Sequence, residues 1–545
     1  MNSSLMKYLS LAALLFCFAH ATEGQISHGG RPLFAPVSSA EEAGLKLVKM
    51  PQLPQSAYSN ITYEPKDKAQ PLRFAHPFFV EYTPENSGSW HRADDGSRIW
   101  RIAIKSPGAY SLNLIFDRFV LPRGASLFIY NPEQSVVLGS FTEANNLPSG
   151  LLATSPVPGE ELIVELRLAA GLREEPELKI GAINHDYLNV LKYLPVEGSR
   201  FGLSGACHPE MSCESDEMRI ANGQAVCRII IDGTELCSGT MVNNSRNDGR
   251  PYFMTASHCL KNEFSHNTVI FTFNYQVPDC DSNIEGSFLE TISGSELRAK
   301  AGELDLALVE MSSMPPAAYR PYWAGWSRST TPAAPVYTIH HPQGDVKKIS
   351  VSNNTVTPSS FYSFTSDSHW HVDRWHEGAT ESGSSGAGLF DANNRLIGTL
   401  SGGSASCTNP VNDYFMRFNK AWSYFSAANK QLAIWLSPDD QSLQAVDGFD
   451  YYNSSTLDTA AYSGEFKLLP NPASGLIEIY IPNVSGEGRV SLYSISGHKA
   501  GHVQLSFVNG KAVMNLSAFM PGFYLLKAEI GGRQYVEKIV IKTEL

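Results

Sequence analysis

An all-β, multi-domain fold is predicted for this 545-residue chain, on three observations. Apolar residues make up 43% and charged residues only 18%, so sizeable cores can form and wholesale disorder is excluded. Gly 43 and Pro 32, with 11% aromatics, favour many short strands joined by turns. Apolar residues recur at every second position in two separate stretches, at about 75–190 and over the last ~80 residues. The length suggests three or four domains at about 150 residues each. Forty-two Lys+Arg against 54 Asp+Glu give a net charge of −12 with no basic run. Nucleic acid is therefore not an expected partner.

In chain order, residues 1–21 have the pattern of a secretory signal. Lys7 provides the positive start, Leu9 to Phe18 an apolar run too short to span a bilayer, and Ala19-His20-Ala21 a small-x-small cleavage site. Cys17 is not expected to carry a lipid, because bulky Phe16 precedes it. No later stretch approaches spanning length, so an exported protein that is not integral to the membrane is expected. Residues 22–200 open with a Pro- and Ser-rich leader to about 70. A sandwich-like region follows, in which Trp100, Ile102 and Ile104, then Leu112, Leu114 and Phe116, then Leu162, Val164, Leu166 and Leu168 alternate with other residues. Residues 201–446 form the central unit, closed by a short amphipathic helix at Leu432, Trp435 and Leu436. Residues 447–463 are a polar linker. Residues 464–545 alternate again (Ile477, Ile479, Ile481) and predict a C-terminal β-sandwich.

After loss of the signal seven cysteines remain, all between Cys207 and Cys407. In an oxidising compartment this marks the central unit as disulfide-stapled, with an odd thiol left over. Two segments of that unit carry chemistry. Tyr252-Phe-Met-Thr-Ala-Ser-His258-Cys259 delivers a histidine from the end of a strand, and a disulfide between Cys237 and Cys259 would fix its loop. Glu381-Ser-Gly383-Ser384-Ser385-Gly386 sets a serine between glycines, where a tight turn can aim the Gly383 and Ser385 N–H groups at one point, as an oxyanion hole requires. Ser385 needs a base, for which His258 is the candidate. His258 needs a carboxylate, and Asp305 is a lone acid in an apolar strand. Each piece alone is weak. Together the order His258, Asp305, Ser385 is that of the chymotrypsin-type triad.

The central unit resembles the lysyl endopeptidases, secreted members of the trypsin-like superfamily. The match rests on Gly202 to Cys207, Val242-Asn-Asn, Tyr252 to Cys259, Asn274-Tyr-Gln, Asp305, Trp323-Ala-Gly-Trp326, Ile339-His-His-Pro342, Glu381 to Gly386 and Cys407. The resemblance implies a chymotrypsin-like double β-barrel with the site between barrels. It also implies disulfides Cys207–Cys407, Cys213–Cys280 and Cys237–Cys259, leaving Cys227 as a buried strand thiol. No cofactor or metal is implied, and His340 and His341 read as structural. Position 379, six before the serine, is Ala where trypsin has its pocket acid. The family instead takes an acid after the last disulfide cysteine, which matches Asp413 and would select Lys or Arg by charge pairing. Asp413 is equally readable as a turn residue. Where the family has a histidine that sharpens catalysis this chain has Ser401, before Gly402 and Gly403, which can pair with a substrate strand. Trp375 matches the tryptophan of that arrangement.

Two functions from different classes follow: a secreted serine endopeptidase acting on peptides after Lys or Arg, or a silent protease-fold surface adhesin. The intact constellation favours the first. Residues 22–200 then read as a propeptide, cut after Arg200, that assists folding or covers the cleft; a permanent binding domain is the alternative. The tail resembles the sorting domains of type IX secretion, through Leu469-Pro-Asn-Pro472, Leu492 to Gly497, Pro521 to Leu526 and Lys538-Ile-Val-Ile-Lys542. It implies the secretion machinery as a partner and passage through the periplasm and outer membrane to the surface or medium.

Overall fold

The computed structural model describes residues 27–545, except 42–43, 55–69, 192–203, 281, 283–284 and 455–465 and, in the tail, 470, 472, 474, 482–483, 495–498, 509, 517–518, 520–521, 531–532 and 543–545. The signal segment, Cys17, the Arg200–Phe201 junction, and Pro470, Pro472 and Pro521 of the tail lie outside the described residues.

The N-terminal unit is a sandwich of two sheets. One runs in the order Leu47–Lys49, Arg98–Lys105, Glu161–Leu168, Ala125–Tyr130, Val137–Phe141, and Ser89–Arg92 also pairs with Arg98–Lys105. The other orders Val157–Pro158, Ser111–Val120, Glu177–Asp186, Ala75–Tyr82, with Leu152–Ala153 beside Ser111–Val120. The period-2 residues point between them: Trp100, Ile102 and Ile104 pack with Leu112, Leu114, Phe116 and Leu166. The leader is more than an extended tether. Leu47–Lys49 pairs in parallel with Ala103–Lys105, and Ala40 is buried with Ala103, Phe128 and Ile163. The outer face of the first sheet mixes apolar Ala103, Phe128 and Ile163 with buried carboxylates, and the leader covers both, the Leu33 N–H donating to Glu165 Oε1 (2.7 Å) and the Ala40 N–H to Glu161 Oε2 (3.1 Å).

The central unit is two sheets, each curled into a barrel. The first orders Thr291–Ser293, Ile270–Thr272, Val226–Ile231, Glu235–Met241, Tyr252–Ala256, Leu306–Met311, Ser295–Ala301. The second orders Lys348–Ser352, Val336–His340, Gly388–Phe390, Leu396–Gly403, Val411–Arg417, His369–Arg374, Thr357–Ser359. One apolar cluster runs through both, with Tyr252, Trp323 and Trp326 packed alongside Tyr337, Phe390 and Met416. Disulfides join Cys207–Cys407, Cys213–Cys280 and Cys237–Cys259. Cys227 is a buried free thiol, and burial pushes its pKa up. The short helix near the end is Ala433–Leu436.

The first residues of the polar linker belong with this unit. Phe449 exchanges backbone bonds with Trp323 (2.8 and 3.0 Å), and Tyr451 packs on the Trp323 ring. Aromatics within a polar stretch find an apolar surface to cover. The tail is a second sandwich, of a three-stranded and a four-stranded sheet around Ile477, Ile479, Leu492, Leu526 and Ile539. Among the described residues no helix is long and apolar enough to cross a membrane.

Candidate active site

Strand Tyr252–Ala256 is buried along its length and ends in one turn, Ser257–Cys259, which carries His258. Its neighbour Leu306–Met311 pairs Leu306 with Ala256, so the residue before that strand, Asp305, arrives beside the turn. The Ser257 N–H donates to the Asp305 carbonyl (3.0 Å) and the His258 N–H to Asp305 Oδ1 (2.9 Å). His258 Nδ1 lies 2.9 Å from Oδ2 and 3.1 Å from Oδ1. Asp305 has φ +66°, a left-handed conformation that Asp tolerates better than most residues. It caps the reversal from Ser295–Ala301, its own N–H donating to Gly302 O at 3.2 Å. A carboxylate held by backbone and ring fixes the proton on Nδ1 and leaves Nε2 as the base. Nε2 is buried and makes no hydrogen bond among the described residues, so no bond to Ser385 is closed in this resting geometry. Catalytic bonds of this kind tighten when substrate binds.

Ser385 stands on the Glu381–Gly386 loop of the second barrel, and the loop is pinned to the histidine hairpin. Ser238, next to Cys237, donates its N–H to Ser385 O (2.8 Å), and Cys259 Sγ lies 3.8 Å from the same carbonyl. Gly386 has no room for a side chain: a Cβ there would sit 2.5 Å from Ser238 O and 2.8 Å from the Ala256 nitrogen. Behind the loop, His340 Nδ1 meets Ser384 Oγ at 2.7 Å and its Nε2 meets Ser350 Oγ at 3.1 Å. Ser350 Oγ in turn donates to Ala379 O (2.7 Å). His341 Nδ1 bonds Asp345 O (2.8 Å), and burial holds His341 well below the usual histidine pKa. Gly383, with φ +89°, lets the chain turn, and its N–H has no acceptor among the described residues. That is the free donor an oxyanion hole needs.

Ala379 and Thr380 lead into the serine loop, and Leu400–Gly403 runs beside it, the Gly386 N–H donating to Leu400 O at 2.8 Å. Asp413, on strand Val411–Arg417, is fully buried and pairs in register with Gly403. Its Oδ2 accepts from Trp375 Nε1 and Thr380 Oγ1, both at 2.7 Å, and its Oδ1 from the Ala405 N–H at 3.3 Å. A Cβ on Gly403 would meet Asp413 Oδ1 at 2.3 Å, so only glycine fits against this carboxylate. Trp375 thus holds the acid. The ring beside Ser401 is instead His369, whose Nε2 lies 3.0 Å from Ser401 Oγ while Nδ1 lies 2.9 Å from Ser368 Oγ. Burial pushes the His369 pKa down to about 4, against an opposing pull from Asp305, so the ring is neutral at physiological pH. Sequence reading missed His369. The alternation His369-Trp370-His371-Val372, with Trp370 and Val372 in the core, was the signal that set the two histidines on the other face.

Among the described residues two clusters carry metal-ligand types, Cys207–His208–Cys407 and Cys237–His258–Cys259. In both the sulfurs are joined as disulfides, so neither offers thiolates to an ion.

The fold and site define an all-β endopeptidase with an appended secretion unit. Residues 201–416 match the family described as lysyl endopeptidase, C-terminal domain, and residues 467–542 match the secretion system C-terminal sorting domain. The lysyl endopeptidase of Pseudomonas aeruginosa is 30% identical over 363 aligned positions, covering 62% of this chain and 76% of that one. A solved Glu endopeptidase in complex with MPD aligns at 15% identity with a TM-score of 0.26, over 40% of this chain and 94% of that chain. The chain belongs to the lysyl endopeptidase family. It is a serine endopeptidase, and its sorting tail places it among secreted or cell-surface proteins.

Proposed function

We propose that this endopeptidase cleaves after lysine, with arginine as the poorer basic residue. Ser385 Oγ attacks the scissile carbonyl and His258 Nε2 takes its proton, while Asp305 keeps Nδ1 protonated and stabilises the imidazolium. The Gly383 and Ser385 N–H groups bind the oxyanion. His258 then protonates the leaving amine, and water releases the acyl group by the same steps in reverse. Gly402 and Gly403 pair with the substrate backbone as an added strand.

The observation that carries the specificity is the fully buried Asp413 beneath Gly403, with position 379 an alanine that offers no charge. Oδ2 is already committed to Trp375 and Thr380. A fork-on-fork guanidinium pair is therefore disfavoured, whereas an ammonium needs one oxygen direction only. Maturation is read on the same preference for a basic residue: residues 1–21 act as the signal, a cut after Arg200 severs 22–200 from the catalytic residues 201–446, and the tail beyond the 447–463 linker directs passage across the outer membrane. Digestion of a defined peptide library tests the reading. Asp413→Asn should lower kcat/KM for Lys substrates by about 10²–10³-fold, the scale of removing one partner from a buried charge pair. Wild-type cleavage after aliphatic or aromatic residues would sink the role of Asp413. Absence of fluorophosphonate labelling, with Ser385→Ala as control, would sink the nucleophile.

A further inference from the structure

The N-terminal unit meets the catalytic unit along a seam that reaches, through Arg228 and Leu236, the Gly344 turn packed against Gly383. Leu72–Arg73 adds a short antiparallel strand to Glu235–Leu236, at a stretch of Glu235–Met241 where Tyr252–Ala256 does not pair. The Phe74 N–H continues it to Thr234 O at 2.9 Å. Asn113 Nδ2 donates to Gly233 O (2.9 Å), and a Cβ on Gly233 would lie 2.1 Å from Asn184 Nδ2, so this turn is shaped to the sandwich. Leu72 and Phe74 bury against Ile230, Leu236 and Ile270 of the first barrel.

Arg228 makes the contact more than adhesive. Its guanidinium is buried and has no carboxylate partner among the described residues. It lies over the Tyr275 ring at 3.9 Å, and Nη1 donates to two carbonyls, Val190 O of the N-terminal unit (3.3 Å) and Gly344 O (3.0 Å). Gly344 is squeezed from both sides. A Cβ on it would meet Leu236 Cδ1 at 2.5 Å, and a Cβ on Gly383 would meet the Gly344 nitrogen at 2.7 Å. Ser238 Oγ ties the same turn, accepting from the His341 N–H and donating to Gly383 O. Leu72 and Val190 therefore press on Leu236 and Arg228, these on Gly344, and Gly344 on the glycine of the oxyanion hole.

We infer that the N-terminal unit is a positioning subunit: it stays bound to the catalytic unit after the chain between them is cut, and its seam holds the Gly344 turn that supports Gly383. Release would strip Thr234 O and Gly233 O of their donors, expose the apolar strip around Leu236, and leave a buried cation with one acceptor fewer. Each of these opposes dissociation. The inference goes beyond the cleavage reading above, and only its rate measurement rests on Ser385 as the nucleophile.

The test inserts a recognition site for an exogenous protease between residues 194 and 199 of the full-length Ser385→Ala chain. After cutting, size-exclusion chromatography and native mass spectrometry at physiological salt should find both fragments in one species; separate fragments overturn the inference. In the active chain carrying the same site, Leu72→Asp places a charge in the apolar seam. Cutting should then release the unit and lower kcat and the fluorophosphonate rate about tenfold with KM held, and Leu72→Met should restore both retention and rate. Asn113→Ala is the milder companion should Leu72→Asp fold poorly, and it should weaken retention without abolishing it. Release with an unchanged rate, or full retention of the Leu72→Asp unit, overturns the inference. Failure of the nucleophile assignment shows separately, as no label on the uncut wild-type chain.

Discussion

In the first barrel His258 and Asp305 come from paired strands, and the register of Ala256 on Leu306 sets them side by side through three hydrogen bonds to one carboxylate. In the second barrel Ser385 belongs to no strand. Its loop is held from behind by side chains, His340 on Ser384 and Ser350. The His258–Asp305 pair is thus placed by backbone geometry, which point mutations rarely move, and the Ser385 loop in part by a buried polar web that a single substitution can open. One arm should fail through lost chemistry, the other through lost position.

The largest expected effect breaks the first arm. Asp305→Asn keeps the shape but cannot hold the Nδ1 proton, and kcat should fall by about 10³–10⁴ with KM little changed. Steady-state kinetics on a lysyl peptide checks this, and a smaller fall would mean that register alone orients His258. Next, replacing Cys237 and Cys259 by serine removes a cross-link over 22 residues. The chain should lose about 3 kcal/mol of stability on urea unfolding while kcat stays near wild type. His340→Leu takes the ring partner from the hydroxyls of Ser384 and Ser350, leaving each with one hydrogen bond among the described residues, to the Glu381 N–H and to Ala379 O. It should cost about 2 kcal/mol and about tenfold in kcat, with Lys preference unchanged in the peptide library. The smallest effect is on acid stability. His369 has its pKa depressed in the fold, so the unfolded chain binds the extra proton between about pH 6.5 and pH 4. Stability should therefore be intact above about pH 6.5 and fall as pH drops toward 4, by on the order of 3 kcal/mol from this one residue. His369→Gln should flatten that decline in urea midpoints measured on the Ser385→Ala chain. An unchanged slope would move the acid sensitivity to His341.

Much of this was legible because the information is local. His258, Asp305 and Ser385 each sit in a short segment that is weak alone, and their order along the chain is what proposed them as one site. The alternation of Trp100, Ile102 and Ile104 names a sandwich face directly. What escaped depends on register between distant segments. Asp413 could be named but not placed, since its burial beneath Gly403 follows from the pairing of Val411–Arg417 with Leu396–Gly403. Trp375 was aligned beside Ser401, yet its indole serves Asp413, while His369 reaches Ser401 from a strand 32 positions back. The docking strand Leu72–Arg73 is two residues long, too short to leave any periodic trace.

The aromatic end of the catalytic unit decides where its gene can be trimmed. Phe449 extends the backbone pairing to Trp323, and Tyr452 Oη bonds Pro315 O at 2.6 Å. A Cβ on Gly249 would meet the Tyr451 ring at 2.3 Å, so that ring lies flat against the turn before Tyr252. An expression boundary at Val446, just before the polar linker, would peel these rings from the first barrel and uncover Trp323 behind the histidine strand. A boundary at Ser454 keeps them. Eight residues that read as spacer are, for recombinant production, the difference between a soluble domain and a sticky one.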